Sequence, residues 1–155
     1  MVIDKYGKIC YSGNCVSPMK NVPNTLDKLH ETGLKLTPQR MAILEVLNGN
    51  ASHPSAQAIY QEVRSRYPMI SFATVYKTLK VLEEIGEIQA LTINEDKLNF
   101  DPDTSPHHHF LCRRCGRILD VTPTGFPIPQ IVDGHEVDRC QVYYYGVCAD
   151  CSDSD

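Results

Sequence analysis

At 155 residues the chain has room for one sizeable core or two small ones, and its 42% hydrophobic content without a long apolar run excludes a membrane-spanning helix and a secretory h-region. Seven cysteines, an odd number with no export signal, argue for thiols that serve metals or redox chemistry in a reducing compartment, so a cytoplasmic location is expected. The net charge of −4 conceals a division: residues 20–80 carry eight Lys or Arg against four Asp or Glu, whereas residues 81–155 carry five against fourteen, so a phosphate-facing half precedes an acidic, cation-attracting half.

Residues 1–20 hold Gly7, Cys10, Gly13 and Cys15 without sustained periodicity and read as a loosely ordered N-terminal arm. From Asn24, Leu26, Leu29 and His30 recur at helical spacing until Gly33. Thr37 then caps a second helix with Pro38 at its first position; Met41, Ile43, Leu44 and Leu47 are its buried stripe and Gly49 closes it. After the His53-Pro54 turn, Ser55 caps a third helix that points Ala56, Ile59, Tyr60 and Val63 inward and ends before Pro68.

Ser71 opens a fourth helix, SFATVYKTLKVLEEIG, with Phe72, Val75, Leu79, Leu82 and Ile85 as its core stripe and Gly86 as its stop. Ser71, Ala73, Thr74, Tyr76, Lys77 and Lys80 lie off that stripe near the N-terminus, where free N–H groups, hydroxyls and lysines suit phosphates and base edges. Residues 87–100 form two strand-like runs around Asn94-Glu95-Asp96, a hairpin. Helices followed by a two-stranded wing predict a winged helix-turn-helix over residues 21–100 with the fourth helix in the major groove; Ser71, Thr74, Tyr76 and Lys77, joined by Arg40, are the expected DNA contacts.

Residues 101–155 shift to short strands, expected at 108–111, 117–121 and 136–147, and the intervening TPTGFPIPQIVDG allows only a short, Pro-broken helix around residues 128–132. Residues 99–120 concentrate Asp101, His107, His108, His109, Cys112, Cys115 and Asp120, every one a potential metal ligand. Cys112-x-x-Cys115 recurs as Cys148-x-x-Cys151, and two such knuckles supply the four thiolates of a closed tetrahedral Zn²⁺ site that clamps the two ends of a small β-structure. Disulfides are the alternative use of these four cysteines. So small a β-unit needs further burial. Its apolar edge, including Tyr143-Tyr144-Tyr145, is expected to pair with a second copy in a homodimer that presents two recognition helices to a palindromic operator in double-stranded DNA.

Five segments in order, LTPQR (36–40), HPSAQAIY (53–60), SFATVYKTL (71–79), HHHFLCRRCG (107–116) and YGVCADC (145–151), resemble the ferric uptake regulator family of metal-dependent bacterial transcription factors over residues 26–151. The resemblance implies an α+β protein: a winged-helix DNA-binding domain followed by a small α/β zinc-containing dimerisation domain. It also implies a regulatory metal, Fe²⁺ or Mn²⁺, on His53, Asp101, His107, His109 and Asp120. Within the family the chain looks most like the peroxide-responsive repressors, in which Asp rather than Glu stands at the position matching Asp120. That likeness makes His53 and His107 the imidazoles oxidised by hydrogen peroxide; an iron-sensing or other metal-sensing repressor is the alternative. Members with a further site carry an acid and a histidine where this chain has His108 and Cys140. A metalloenzyme is disfavoured, because no general base with a substrate pocket stands out and the helix-and-wing half would have no purpose in one. A constitutive DNA-binding module with zinc alone is the third reading.

Overall fold

The computed structural model describes residues 2–3, 9–11, 14–16, 22–122 and 129–153, the first three segments through their backbone. The chain divides into two compact units, Met1–Thr104 and Ser105–Asp155. The division falls four residues beyond the boundary at 100/101 expected from composition, so Asp101 belongs to the first unit. In the arm, where no periodicity was visible, β1 (Val2–Ile3), β2 (Ile9–Tyr11) and β3 (Asn14–Val16) form an antiparallel meander.

Four helices follow: α1 (Val22–Glu31), α2 (Pro38–Leu47), α3 (Ala56–Arg66) and α4 (Phe72–Glu84). The side chains of Thr37, Ser55 and Ser71 accept hydrogen bonds from the backbone N–H of Arg40, Ala58 and Thr74, so each cap read from the sequence satisfies a donor that the helix cannot. Leu29, Ile43, Leu47, Ile59, Val63, Val75, Leu79 and Leu82 form the core, closed by Phe100 from the wing. Several positions differ from the periodic reading. Ala42 and Val46 join the buried face of α2 while Met41 is only partly buried, because that helix is covered over more than one narrow stripe. Tyr60 is only partly buried. Phe72, read as core, is 41% exposed: it sits at the first position of α4, beyond the edge of the core, and packs edge-on against Tyr60 at 5.5 Å. Thr78, which the apolar pattern passed over, is buried and donates its hydroxyl to the carbonyl of Thr74.

The wing pairs β4 (Gln89–Leu91) with β5 (Asn99–Asp101) antiparallel, Gln89 opposite Asp101. Just before it, the buried carboxylate of Glu87 accepts from the Thr25 hydroxyl and the Lys28 ammonium, both at 2.5 Å, and so ties α1 to the start of the wing.

In the second unit β6 (His108–Cys112), β7 (Ile118–Val121) and β10 (Tyr143–Gly146) form a sheet of order β10-β6-β7, with β8 (Ile131–Val132) and β9 (His135–Glu136) as a separate hairpin and α5 (Ala149–Ser152) at the end. The short helix expected around residues 128–132 is therefore corrected: residues 131–132 are strand, and residues 123–128 lie outside the described residues. The reason lies in Asp133-Gly134, both with positive φ (50° and 83°), the backbone of a two-residue hairpin turn that an Asp-Gly pair adopts readily. The strand expected over residues 136–147 is likewise two shorter pieces.

Replacing Glu87 with Ala leaves the buried Thr25 hydroxyl without its acceptor and the Lys28 ammonium without its counter-charge. The expected cost is about 1.5–3 kcal/mol in urea unfolding of the full chain, and an unchanged midpoint would show that α1 is held by apolar contacts alone.

Candidate metal centres

Two groups of side chains in the second unit bring metal-ligating atoms together. The first follows from strand direction. β10 runs parallel to β6 with Gly146 opposite Cys112, so both strands finish at the same end of the sheet and deliver their CxxC knuckles together. All four sulfurs of Cys112, Cys115, Cys148 and Cys151 lie within 4.8 Å of one another, and the Cys115 and Cys148 sulfurs are 3.9 Å apart. That separation is far beyond the ~2.05 Å of a disulfide bond. It matches the edge of a tetrahedron of sulfurs about 2.3 Å from a shared ion. The disulfide alternative has no support here, since these four cysteines and Cys140 are free thiols.

The electrostatics of the cluster favour thiolates but not four of them at once. Backbone N–H groups of Cys115 and Cys148 lower the Cys112 thiol to about 6. The Arg117 guanidinium, its Nε 3.4 Å from the Cys115 sulfur, lowers Cys115 as well. Cys151 moves the other way, pushed up to about 12 chiefly by its hydrogen bond to Cys148, and secondly by burial. Without a cation one thiol keeps its proton as a donor to the others; a divalent ion allows all four to ionise. Arg117 also reaches the Cys148 sulfur (3.6 Å) and the Asp150 carboxylate (2.5 Å), linking the two knuckles. The sequence reading missed it, although a basic residue two positions after a CxxC is a visible signal.

The second group is His107, His109 and Asp120. Residues two apart on extended backbone share a side, so the His107 and His109 rings meet with their Nε2 atoms 3.0 Å apart. Cross-strand pairing sets Asp120 opposite His109, and its Oδ1 is 3.4 Å from the His107 Nε2 and 4.0 Å from the His109 Nε2. Donors about 2.1 Å from one ion and at right angles to each other lie about 3.0 Å apart, so two imidazoles and a carboxylate stand at ligand spacing. His108 points the other way and sets its Nδ1 3.0 Å from the Tyr144 hydroxyl.

The first unit carries its own pair. His53 and Asp101 are both buried, with the His53 Nε2 3.8 Å from the Asp101 Oδ2. His53 has φ 50°, a left-handed backbone that costs a non-glycine residue on the order of 1–3 kcal/mol and persists only where the surroundings impose it. Asp101 is held by the backbone N–H of Asp103 on Oδ1 (2.8 Å) and by the Gln89 amide on Oδ2 (3.0 Å), which fixes the carboxylate plane.

The expected DNA-facing residues gather at the start of α4. Ser71, Tyr76 and Lys77 are exposed and Thr74 half-buried, with the Ser71 and Thr74 hydroxyls 2.9 Å apart. Phe72 lies against Tyr60 and Tyr76, and Arg64 stacks over the Tyr60 ring, so Phe72 and Tyr60, which periodicity assigned to the core, instead border this surface. Arg40 behaves differently: its Nη1 donates to the Lys35 carbonyl at 2.5 Å, bracing the turn before α2.

The model of the ferric uptake regulator family matches residues 31–145. The chain is 40% identical over 131 residues to the peroxide operon regulator of Bacillus subtilis, covering 82% of this chain and 90% of that protein. It is 35% identical over 138 residues to the peroxide-responsive repressor PerR of Staphylococcus epidermidis, covering 83% and 89%. Among solved structures it is similar to the Campylobacter jejuni peroxide stress regulator (TM-score 0.61, 30% identity, 81% of this chain and 98% of that one). The Helicobacter pylori ferric uptake regulator shares the fold at TM-score 0.70 and 21% identity, covering 90% and 99%.

Cys148→Ser should purify with less than one zinc per chain, as read by metal analysis. Arg117→Ala should keep its zinc but release it to a chromogenic chelator faster, by about tenfold, the usual scale for a group that braces metal ligands. Equal release rates for Arg117→Ala and the parent chain would mean that Arg117 only decorates the knuckles.

Proposed function

Because the chain belongs to the ferric uptake regulator family, we infer that it is a metal-dependent transcriptional repressor that holds operator DNA while a regulatory divalent ion is bound and lets go when hydrogen peroxide attacks that site. The observation that carries this reading is the cluster of His107, His109 and Asp120 at ligand spacing. Its imidazole and carboxylate donors suit Fe²⁺ or Mn²⁺, while the four thiols suit Zn²⁺ in a structural role. His53 and Asp101 offer two further donors of the same kind from the DNA-binding unit. An ion held jointly by all five residues makes its occupancy a condition on how the winged-helix unit is presented to DNA. That is the role of a regulator and not of an enzyme, and the cytoplasm is the compartment in which such a protein meets its operator.

The peroxide response rests on the chain's own oxidisable groups. Ferrous iron, when bound, would mediate the reaction of hydrogen peroxide with a neighbouring ring. One peroxide would oxidise one imidazole, that of His53 or His107, placing one oxygen atom on a ring carbon and leaving the other as water; an oxidised imidazole is a poor donor, and a set that loses one of its nitrogens loses its grip. Asp101 and Asp120 contribute no group that peroxide oxidises readily, and the identity to peroxide-responsive relatives supports this signal over iron level alone.

Two arguments support a homodimer. Among the described residues of the second unit, the fully buried apolar residues are only Cys112, Ile118 and Cys148. Its edge strand β10 meanwhile leaves Tyr144 and Tyr145 exposed at 38% and 47%, with Val147 just beyond at 49%. An apolar edge of this kind is covered economically by a second copy, which also matches two recognition helices to a palindromic operator.

Loaded with Fe²⁺ and given modest hydrogen peroxide, the protein should lose its operator in a mobility assay and gain sixteen daltons on peptides carrying His53 or His107; loaded with Mn²⁺ it should bind DNA and resist both changes. Release of DNA with those peptides unmodified would make it a metal sensor of another kind. At the recognition helix, Lys77→Ala should weaken binding across all sequences and lower the salt slope by about one. Tyr76→Ala should instead alter sequence preference, and an unchanged salt slope for Lys77→Ala would rule out this docking face.

A further inference from the structure

The two regulatory donors of the first unit hang from one strand. β5 carries Asp101 as its last residue and Asn99 as its first, and Asn99 reaches back to the loop that bears His53. The Asn99 amide is buried and donates from Nδ2 to the His53 carbonyl at 2.6 Å. Alongside it the backbone N–H of Phe100 donates to the Pro54 carbonyl at 3.0 Å, and Ser55 bridges to Asn99. These contacts hold the strained, left-handed backbone of His53 in place, because its carbonyl and that of Pro54 are both pinned from the wing.

A carbonyl can only accept, so the Asn99 amide must present its Nδ2 to His53 and its Oδ1 to the other side. There it meets the Nδ2 of Asn94, 2.8 Å away in the loop between β4 and β5. The direction of every hydrogen bond from the wing loop to His53 is thereby fixed. On the opposite strand Gln89 orders Asp101 and also donates to the Asp103 carbonyl at 2.8 Å, so both donors take their orientation from the wing hairpin.

We propose that Asn94 and Asn99 are positioning residues that couple the wing loop to the regulatory metal: the loop holds His53 in its ligating posture, and a divalent ion on His53 in turn orders the loop. The proposal rests on the reading of His53 and Asp101 as regulatory ligands. By linkage, the factor by which an ordered loop tightens the ion equals the factor by which the ion stabilises the ordered loop. Any contact that holds this loop against DNA would therefore tighten the ion as well, independently of how the two units are disposed.

Mn²⁺ is the probe, added to the full, zinc-loaded chain, with free Mn²⁺ read by electron paramagnetic resonance and residues 92–98 followed by amide hydrogen exchange. In the parent chain Mn²⁺ should slow exchange in that loop. Asn99→Ala should weaken Mn²⁺ binding by about ten- to a hundredfold, the range for groups that orient metal ligands. Because Asn99 is buried, the decisive variants are at the half-buried Asn94. Asn94→Ala should weaken Mn²⁺ by a smaller factor, with a metal-free melting temperature lowered only as far as the loss of one hydrogen bond to the buried Asn99 requires. Asn94→Asp has the same shape and adds a negative charge, which by itself would tighten a cation; it cannot donate to Asn99 Oδ1 when ionised, so the relay requires weaker binding. Parent-like affinity in Asn94→Ala, tighter binding in Asn94→Asp, or loop exchange indifferent to Mn²⁺ would overturn the relay while leaving the regulatory site standing. A parent chain that binds no Mn²⁺ would remove the regulatory site and the relay together.

Discussion

The second unit depends on the closure of four sulfurs at one end of a three-stranded sheet. With Cys112, Ile118 and Cys148 as its buried apolar residues among those described, the unit cannot rely on a hydrophobic core, and its stability must come from a cross-link and from covering its edge. The parallel pairing of β10 with β6 makes that cross-link possible, because an antiparallel return would place the two knuckles at opposite ends of the sheet. The same strand β6 that ends in Cys112 begins next to His107, so one short strand connects the thiol cluster to the histidine cluster. Anything that loosens the sulfurs is felt at the imidazoles a few residues away.

In the first unit the corresponding organiser is β5. Its central residue, Phe100, closes the helical core, its last residue is Asp101, and its first residue holds the backbone of His53. Core packing, one carboxylate and one imidazole are thus referred to a three-residue segment of the wing. The strained backbone at His53 is the cost of aiming a ring from a loop, and β5 is what sustains it. This arrangement gives physical content to the proposed metal-dependent DNA binding, since the strand that positions His53 and Asp101 belongs to the DNA-binding unit itself.

Charge and aromatic surface divide along the chain in a compatible way. The basic residues 20–80 include the start of α4, where helix N–H groups, Lys77 and the exposed Tyr76 form a surface suited to phosphates and base edges, with Phe72 and Tyr60 beside it. The acidic residues 81–155 hold most of the carboxylates, which lower the cost of assembling donors around a cation and keep this half from competing for the phosphate backbone.

Local chemistry determined much of this protein without any knowledge of its fold. Thr37, Ser55 and Ser71 cap helices because a hydroxyl at that point satisfies a free N–H wherever the helix packs, and the spacing of Cys112, Cys115, Cys148 and Cys151 announces a thiolate site because a knuckle is a local structure. The alternation of His107 and His109 places two rings on one side of any strand. Asp133-Gly134 is equally local: an Asp-Gly pair readily adopts the two-residue turn that joins β8 to β9. Other features were decided only by long-range pairing. Phe72 leaves the core because the core reaches only as far as Val75 in the first turn of α4, a boundary that periodicity within one helix cannot contain. Arg117 acquires its role by reaching a knuckle that lies thirty-one residues further along the chain. The Asn94 and Asn99 amides read as ordinary turn residues until the register of β4 with β5, and the approach of the His53 loop, set them end to end. A sequence states which groups are present and how their neighbours bend, but which distant group a side chain meets depends on strand direction and register, and those are settled by burial across the whole unit.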